Sequence, residues 1–422
     1  MQVIFKQNYA RGFVVLACAG VISQIITLLT WRYLGLLLTR ETIGEFSLNI
    51  FWIELLSVLS LMGVETFYPK YVYDSKFKNS FYNFGRDIAI LSVIFSVIFF
   101  VINGVFELIY IDKTSFYLII IGSVLVVTNF RYSQNILLVN KDLVRYGLYQ
   151  VLRPTIFVIA VIVFFNLNID VHMYLGYLIS FSCLFIMSLV NKKAPFKSFG
   201  FRRLLPWLKH SYHFGAVGIL GVLSSYSSRL LTDQVFTISE VGTLALLLSF
   251  SAPVKSIISV FDKVYYPSAI RRLSQTGNLE LGNLRILFGM LAVAGFVVLK
   301  ATIPLIGTFL LAKDDLSSLN TLSYLFYTFL PIIIWTLYVP VIIHNRPKMY
   351  ARVKLLMTLF IIVFQAVIFN VTAFENIGLP LYISECIYLV GLILVVRQYI
   401  SPNEIRVLIL LSLLCLLPIF FA

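Results

Sequence analysis

Long apolar runs, broken at short intervals by clusters of charge, set the rhythm of this chain from Gly12 onward. A segment that crosses a hydrocarbon core needs about 20 residues at about 1.5 Å each. Such runs fall at 12–37, 44–67, 87–109, 116–138, 147–166 and 172–190, and again at 211–236, 241–262, 286–311, 320–343, 355–373 and 378–396. They are continuously apolar, whereas a membrane barrel strand alternates over about 10 residues, so the pattern predicts helices. The first run is longer than the apolar core of a signal peptide and is expected to be retained as a span. A shorter run, Val407 to Phe421, is open to two readings, a thirteenth span or an interfacial tail, and Pro418 favours the tail.

The second six runs echo the first. Gly44 and Gly242 each follow a short turn and open an apolar run, and each is followed 25 residues later by a proline, Pro69 and Pro267. Phe67, Tyr68 and Pro69 answer Tyr265, Tyr266 and Pro267 at the same offset of 198, and Leu138 to Lys141 resembles Ile343 to Arg346 at 205. Each half holds an even number of spans, so both enter the membrane in one orientation, as parallel repeats about an axis along the membrane normal. The expected architecture is an all-α polytopic membrane protein of about 12 transmembrane helices, in two six-helix lobes around a central cavity. Residues 1–190 form the first lobe, 191–210 a linker, 211–400 the second lobe and 401–422 an apolar tail. In the linker Phe196, Phe199, Phe201, Leu204, Leu205, Trp207 and Leu208 are interleaved with basic residues, which suits either an amphipathic surface segment or a plain positively charged loop.

Composition agrees with the pattern: 60% of the 422 residues are hydrophobic and 12% charged, with a mean hydropathy of +0.93, values that exclude an ordinary soluble domain. The net charge of +14 follows topology. Lysine and arginine gather at the N-terminus (Lys6, Arg11), between the halves (Lys192, Lys193, Lys197, Arg202, Arg203, Lys209) and in the other even-numbered connections; the odd-numbered ones hold Arg32, Arg40, Lys113 and Lys313. Basic residues are retained on the cytoplasmic side, so the N-terminus is expected there, and the excess charge is expected to meet anionic membrane lipids rather than nucleic acid.

Nothing in the pattern points to catalysis. The far-side connections, such as 166–171 and 237–240, are too short to carry an external catalytic domain, which argues against a membrane glycosyltransferase. Cys18, Cys183, Cys386 and Cys415 lie in apolar runs without paired or metal-type spacing, and His172, His210, His213 and His344 lie near span boundaries, with only a weak i, i+3 zinc hint at His210 and His213. No phosphate-binding G-x-x-x-x-G-K motif occurs, and no cofactor or metal is expected.

A charge at the bilayer centre costs at least about 2.5 kcal/mol and asks for a partner or a task. Arg229 and Asp233 sit one turn apart in span seven and suit an ion pair. Lys255 in span eight, Lys300 in span nine and Arg131 in span four supply positive charge in both halves. Lys300 stands about 14 residues, roughly 21 Å, into its span, which makes snorkelling hard, whereas Arg131 and Arg153 have that route open. Glu54 and Glu65, three turns apart in span two, and Glu385 in span twelve either carry protons or a cation or neutralise the basic residues. As a set these charges describe an aqueous cavity with positive excess, suited to an anionic substrate.

Leu38, Thr39, Glu41, Gly44 and Phe46 after span one, and Ser239, Glu240, Val241 and Gly242 before span eight with Tyr266 and Pro267 closing that unit, resemble the Wzx-type polysaccharide (O-antigen) flippases. That family belongs to the multidrug/oligosaccharidyl-lipid/polysaccharide exporter superfamily, with the multidrug and toxic-compound exporters and the lipid II flippases. The likeness covers nearly the whole chain in span count and loop lengths. It departs from the family pattern in span seven, where Ser228 and Arg229 stand for an Asp-Arg pair, and at the end of span one, where Leu36 stands for an arginine and Arg32 lies one turn earlier. The resemblance implies transfer of an undecaprenyl-diphosphate-linked oligosaccharide across a bacterial cytoplasmic (inner) membrane by alternating access, coupled to an ion or the membrane potential, in company with a polysaccharide polymerase and a chain-length regulator. Arg229, Lys300, Lys255, Arg131 and Arg32 are the candidates for the anionic headgroup, and Glu54, Glu65, Asp233 and Glu385 for ion coupling. The competing expectations are an exporter of small amphipathic or cationic compounds and a membrane glycosyltransferase.

Overall fold

A computed structural model of the chain describes residues 7–63, 85–106, 114–140, 142–169, 172–190, 201–249, 263, 347–371, 377–396 and 406. The described residues form ten helices: α1 (Gln7–Leu37), α2 (Arg40–Leu61), α3 (Gly85–Phe106), α4 (Thr114–Val139), α5 (Leu143–Asn166), α6 (His172–Val190), α7 (Phe201–Val235), α8 (Ile238–Ser249), α9 (Pro347–Phe369) and α10 (Gly378–Val396). Six of them hold stretches long and apolar enough to cross a membrane: Val14–Leu37, Arg40–Leu61, Leu143–Asn166, His172–Leu189, Ser211–Val235 and Lys348–Phe369. The chain is an all-helical, multi-pass membrane protein. The expected spans at 286–311 and 320–343, and the run from Val407, lie outside the described residues.

Several helices begin before their apolar run does, and local chemistry explains why. The α2 start at Arg40 follows Thr39, whose Oγ1 accepts from Thr42 N at 3.3 Å. The α8 start at Ile238 follows a reciprocal cap: Thr237 N donates to Glu240 Oε2 at 2.7 Å, and Glu240 N donates to Thr237 Oγ1 at 3.4 Å. Asp142 caps α5 by accepting from Arg145 N. Pro347 opens α9, where a missing N–H costs nothing. Apolar length marks the hydrocarbon, whereas caps mark the helix.

The stretch 201–210, read from the sequence as part of a linker, is helical and opens α7, 35 residues and so about 52 Å long. Its span, Ser211–Val235, accounts for only the later part.

Side chains are sorted as lipid requires. On α9 Leu356, Phe360, Val363 and Val367 recur at helical spacing and are exposed, while Tyr350, Lys354, Thr358 and Gln365 are buried. Several buried hydroxyls donate to the carbonyl one turn back, as Thr30 does to Ile26, Ser60 to Leu56 and Thr232 to Ser228, which satisfies them without a neighbouring helix.

The described residues pack as two compact units, one drawn from Met1–Thr30 and Glu45–Tyr226, the other from Trp31–Gly44 and Ser227–Ala422. The hairpin joining α1 to α2 therefore packs with the helices of the second unit, and α7 contributes to both. In the first unit α6 lies against α4 and α5, and α3 against α4; in the second α9 lies against α10. At the end of α2 the chain turns through Met62 and Gly63 with positive φ. A Cβ on Gly63 would stand 2.5 Å from Gly215 N, so the turn needs glycine both for its backbone and for its closeness to α7.

Candidate functional site

Three places collect the polar residues. The first, in the first unit, is built on α2, which turns Phe46, Asn49 and Glu54 toward α5 and α6. Phe46 lies 6.2 Å from the Phe157 ring, 5.1 Å from Tyr174 and 6.2 Å from Tyr177. This apolar floor fixes the two tyrosines, whose hydroxyls then meet polar partners on α2. Asn49 Nδ2 donates to Tyr174 Oη at 2.8 Å, and Tyr177 Oη donates to Glu54 Oε1 at 3.3 Å. The other carboxylate oxygen, Oε2, accepts a charge-assisted bond from Arg131 Nη2 of α4. Glu54 and Arg131 side chains are 18% and 19% exposed, so the pair is sheltered yet reachable. Arg153 of α5 stacks over Phe181 at 5.7 Å, and Tyr226 of α7 lies 5.6 Å from Phe51.

The second place, in the second unit, is a chain of neutral groups. Ser227 Oγ of α7 donates to Gln365 Oε1 of α9 at 2.9 Å, Gln365 Nε2 donates to Ser384 Oγ of α10 at 3.1 Å, and Ser384 Oγ donates to Pro380 O at 2.8 Å. All three side chains are buried. Three turns before Gln365 on α9, Lys354 is buried, its Nζ 4.1 Å from the centroid of the Tyr388 ring on α10. An ammonium over an aromatic face is stabilised by the ring quadrupole, most when water is excluded.

The third place is where α2 and α8 cross, also within the second unit. A Cβ on Gly44 would stand 2.2 Å from Ile238 O and 3.1 Å from Gly242 N; a Cβ on Gly242 would stand 1.9 Å from Arg40 O and 3.1 Å from Gly44 N. The two relations are one relation read twice, because Ile238 and Gly242 follow Arg40 and Gly44 by the offset of the sequence repeat. Only helices without a Cβ at the crossing can approach so closely. Around it Ile43, Ala245 and Leu246 form a buried cluster flanked by Trp31 and Leu38, and Arg40 Nη1 donates to Thr243 Oγ1 at 3.1 Å.

The structure thus brings together two residues that the sequence assigned to different tasks, Arg131 and Glu54. Arg32 on α1, and Arg229 and Asp233 one turn apart on α7, are each partly buried. Glu385 lies on α10. Lys255, Lys300 and Glu65 lie outside the described residues. Sequence reasoning missed Tyr177, Gln365 and Lys354. The first two are ordinary polar residues of apolar runs and carry no signal of their own. Lys354 had one: with Pro347 opening the helix, it falls in the third turn, inside the span Lys348–Phe369.

No family model matches the chain, and no curated protein matches it. Solved structures do. A MATE in the straight conformation aligns with a TM-score of 0.65 at 12% identity, over 95% of this chain and 96% of that one. A multidrug resistance MATE family transporter of the MOP superfamily, in an outward-facing conformation, aligns at 0.66 and 14% over 96% and 98%. A MOP superfamily transporter from Pyrococcus furiosus, described as having a binding pocket of reverse polarity, aligns at 0.65 and 14% over 96% and 98%. At such identities the likeness is one of fold. The chain has the fold of MATE transporters of the MOP superfamily over nearly its full length.

Proposed function

We propose that the chain is a flippase that carries an undecaprenyl-diphosphate-linked oligosaccharide across the bacterial cytoplasmic membrane by alternating access, with its N-terminus cytoplasmic and its movement coupled to an ion or the membrane potential. The observation that carries the reading is the state of Glu54. A transporter of cations needs a carboxylate whose charge is available, and both oxygens of this one are engaged, one by Arg131 and one by Tyr177. Among the described residues Arg32, Arg229 and Lys354 are further basic groups sheltered in the helices, and a positive excess suits a diphosphate and opposes a cation. Arg131, Arg229, Arg32, Lys255 and Lys300 would meet the anionic headgroup and its sugars while the prenyl tail stays in lipid. Glu54, Glu65, Asp233 and Glu385 would serve coupling. A polysaccharide polymerase and a chain-length regulator are the expected partners downstream.

The second reading, an exporter of small amphipathic or cationic compounds, is favoured by the multidrug transporters among the solved structures of this fold. Reconstituted vesicles separate the two. The flippase reading expects transfer of a fluorescent prenyl-diphosphate oligosaccharide between leaflets, reduced at least about tenfold by Arg229→Ala, and no transport of a hydrophobic cation. Cation transport without lipid transfer would sink it, and full transfer activity in Arg229→Ala would remove that residue from the site.

A further inference from the structure

We propose that Arg153 of α5 is a further contact for the anionic headgroup, holding a phosphate-bearing group at mid-membrane through the edge of its guanidinium; the proposal rests on the flippase reading. The apolar span of α5 runs Leu143–Asn166, and Arg153 stands about 15 Å from its first residue and about 20 Å from its last along the helix. Snorkelling, the route its place in the sequence left open, therefore falls short of either headgroup layer. Nor does Arg153 face lipid. Tyr146, Tyr149 and Ala160, one or two turns away on the same side of the helix, are buried, while the exposed Val144, Leu148 and Ile159 lie about 120° or more round from it. Arg153 is nonetheless exposed, so it opens to a space on the packed side of α5.

A charge held in hydrocarbon costs more than an aromatic ring returns, so the balance has to come from water or an anion. What Arg153 touches is such a ring: its guanidinium carbon lies 5.7 Å from the centroid of Phe181. Phe181 is buried, with Phe130 at 5.5 Å and Tyr177 at 4.8 Å, and gives the guanidinium a fixed seat. Contact with a ring neutralises no charge and uses none of the five N–H donors. Among the described residues Arg153 has neither a carboxylate partner nor a hydrogen bond, whereas Arg131 is paired with Glu54. Glu54, Arg131 and Arg153 all act electrostatically on Tyr177, so one negative charge stands there against two positive ones, and the charge left without an offset is that of Arg153. A planar fork of donors matches phosphate, which accepts two parallel N–H bonds. A phosphate entering this space meets a positive charge already oriented by Phe181.

Equilibrium binding of radiolabelled farnesyl diphosphate to the full chain in phosphatidylcholine nanodiscs, read beside thermal unfolding of the same samples, tests the assignment. Arg153→Gln is expected to bind at least about tenfold more weakly than wild type with no loss of thermal stability, since it takes a charge out of the bilayer interior. Arg153→Lys keeps the charge without the fork and should fall between the two. Arg145→Gln, which removes a charge from the first turn of the same helix, should bind like wild type. Arg153→Gln that binds like wild type, that loses binding and thermal stability together, or that is matched by Arg145→Gln would overturn the role of Arg153 while leaving the flippase reading in place. Unlabelled inorganic pyrophosphate should displace the probe far less well than unlabelled farnesyl diphosphate; equal displacement would keep Arg153 as an anion contact and overturn the lipid-linked substrate. Wild type that binds no farnesyl diphosphate would overturn both.

Discussion

Where α2 crosses α8, the two halves of the chain do one thing twice. Each helix begins after a threonine, Thr39 or Thr237, whose hydroxyl accepts from a backbone N–H three residues on. Each then presents a glycine to a carbonyl of the other. At membrane depth the halves part company. Glu54 of α2, paired with Arg131, is answered 198 positions later by Ala252, and among the described residues of the second unit the buried polar groups include an uncharged relay, Ser227 to Gln365 to Ser384, with Lys354 held on an aromatic ring. The difference teaches what duplication constrains. Backbones that touch admit no side chain, so both copies stay alike; polar interiors need only be satisfied, and there are many ways to do that.

The glycines are the place to break the likeness outright. Gly44→Ala and Gly242→Ala would each drive a methyl group to about 2 Å from a carbonyl oxygen, and overpacking of this kind costs roughly 1–3 kcal/mol or more. The helices must separate, so a Thr39→Cys reporter should react with an impermeant maleimide at least several-fold faster in either background. Equal effects would confirm the symmetry of the crossing, and a silent Gly44→Ala would break it. A smaller effect is expected at the ion pair. Glu54→Gln and Arg131→Gln should each lower thermal stability in detergent, and the double variant should recover part of the loss, with a coupling of about 1–2 kcal/mol after allowance for partial exposure. Additive losses would mean that the pair is spectator chemistry. The smallest effect sharpens the comparison at the caps. Thr237→Ala, which removes the two hydroxyl bonds of a three-bond capping box, should cost about 1 kcal/mol, and Thr39→Ala, whose partner is another threonine, about half as much. Thermal melts of the two variants side by side measure the difference.

Much of the fold was legible because a membrane leaves so few options. Apolar length gave the spans, and the helices at 143–166, 172–190 and 378–396 begin or end within a few residues of where that length put them. Helix starts were less legible, since a cap such as Thr39 or Asp142 adds a turn of helix outside the apolar run. The basic residues of 201–210 mark the headgroup region, and nothing in them says whether a helix begins there; the chain is helical from Phe201. In the site, charge alone drew attention to Glu54 and Arg131 but could not show that they meet, because they are 77 positions apart on helices joined through α3.

What the sequence determined alone is the set of quantities that bilayer and backbone impose on any chain. These are how many apolar segments there are, how long they run, which loops carry charge, and that Gly44 and Gly242 hold the same place in a repeat. Tertiary structure decided which polar groups neutralise one another and which backbones touch. Ion pairing falls off within a few ångströms, and helix contact depends on which face is turned inward. Those distances are set by packing among helices remote in sequence, so the same residues would have read as an anion site, a cation site or a structural bridge until Arg131 and Tyr177 were seen on the two oxygens of Glu54.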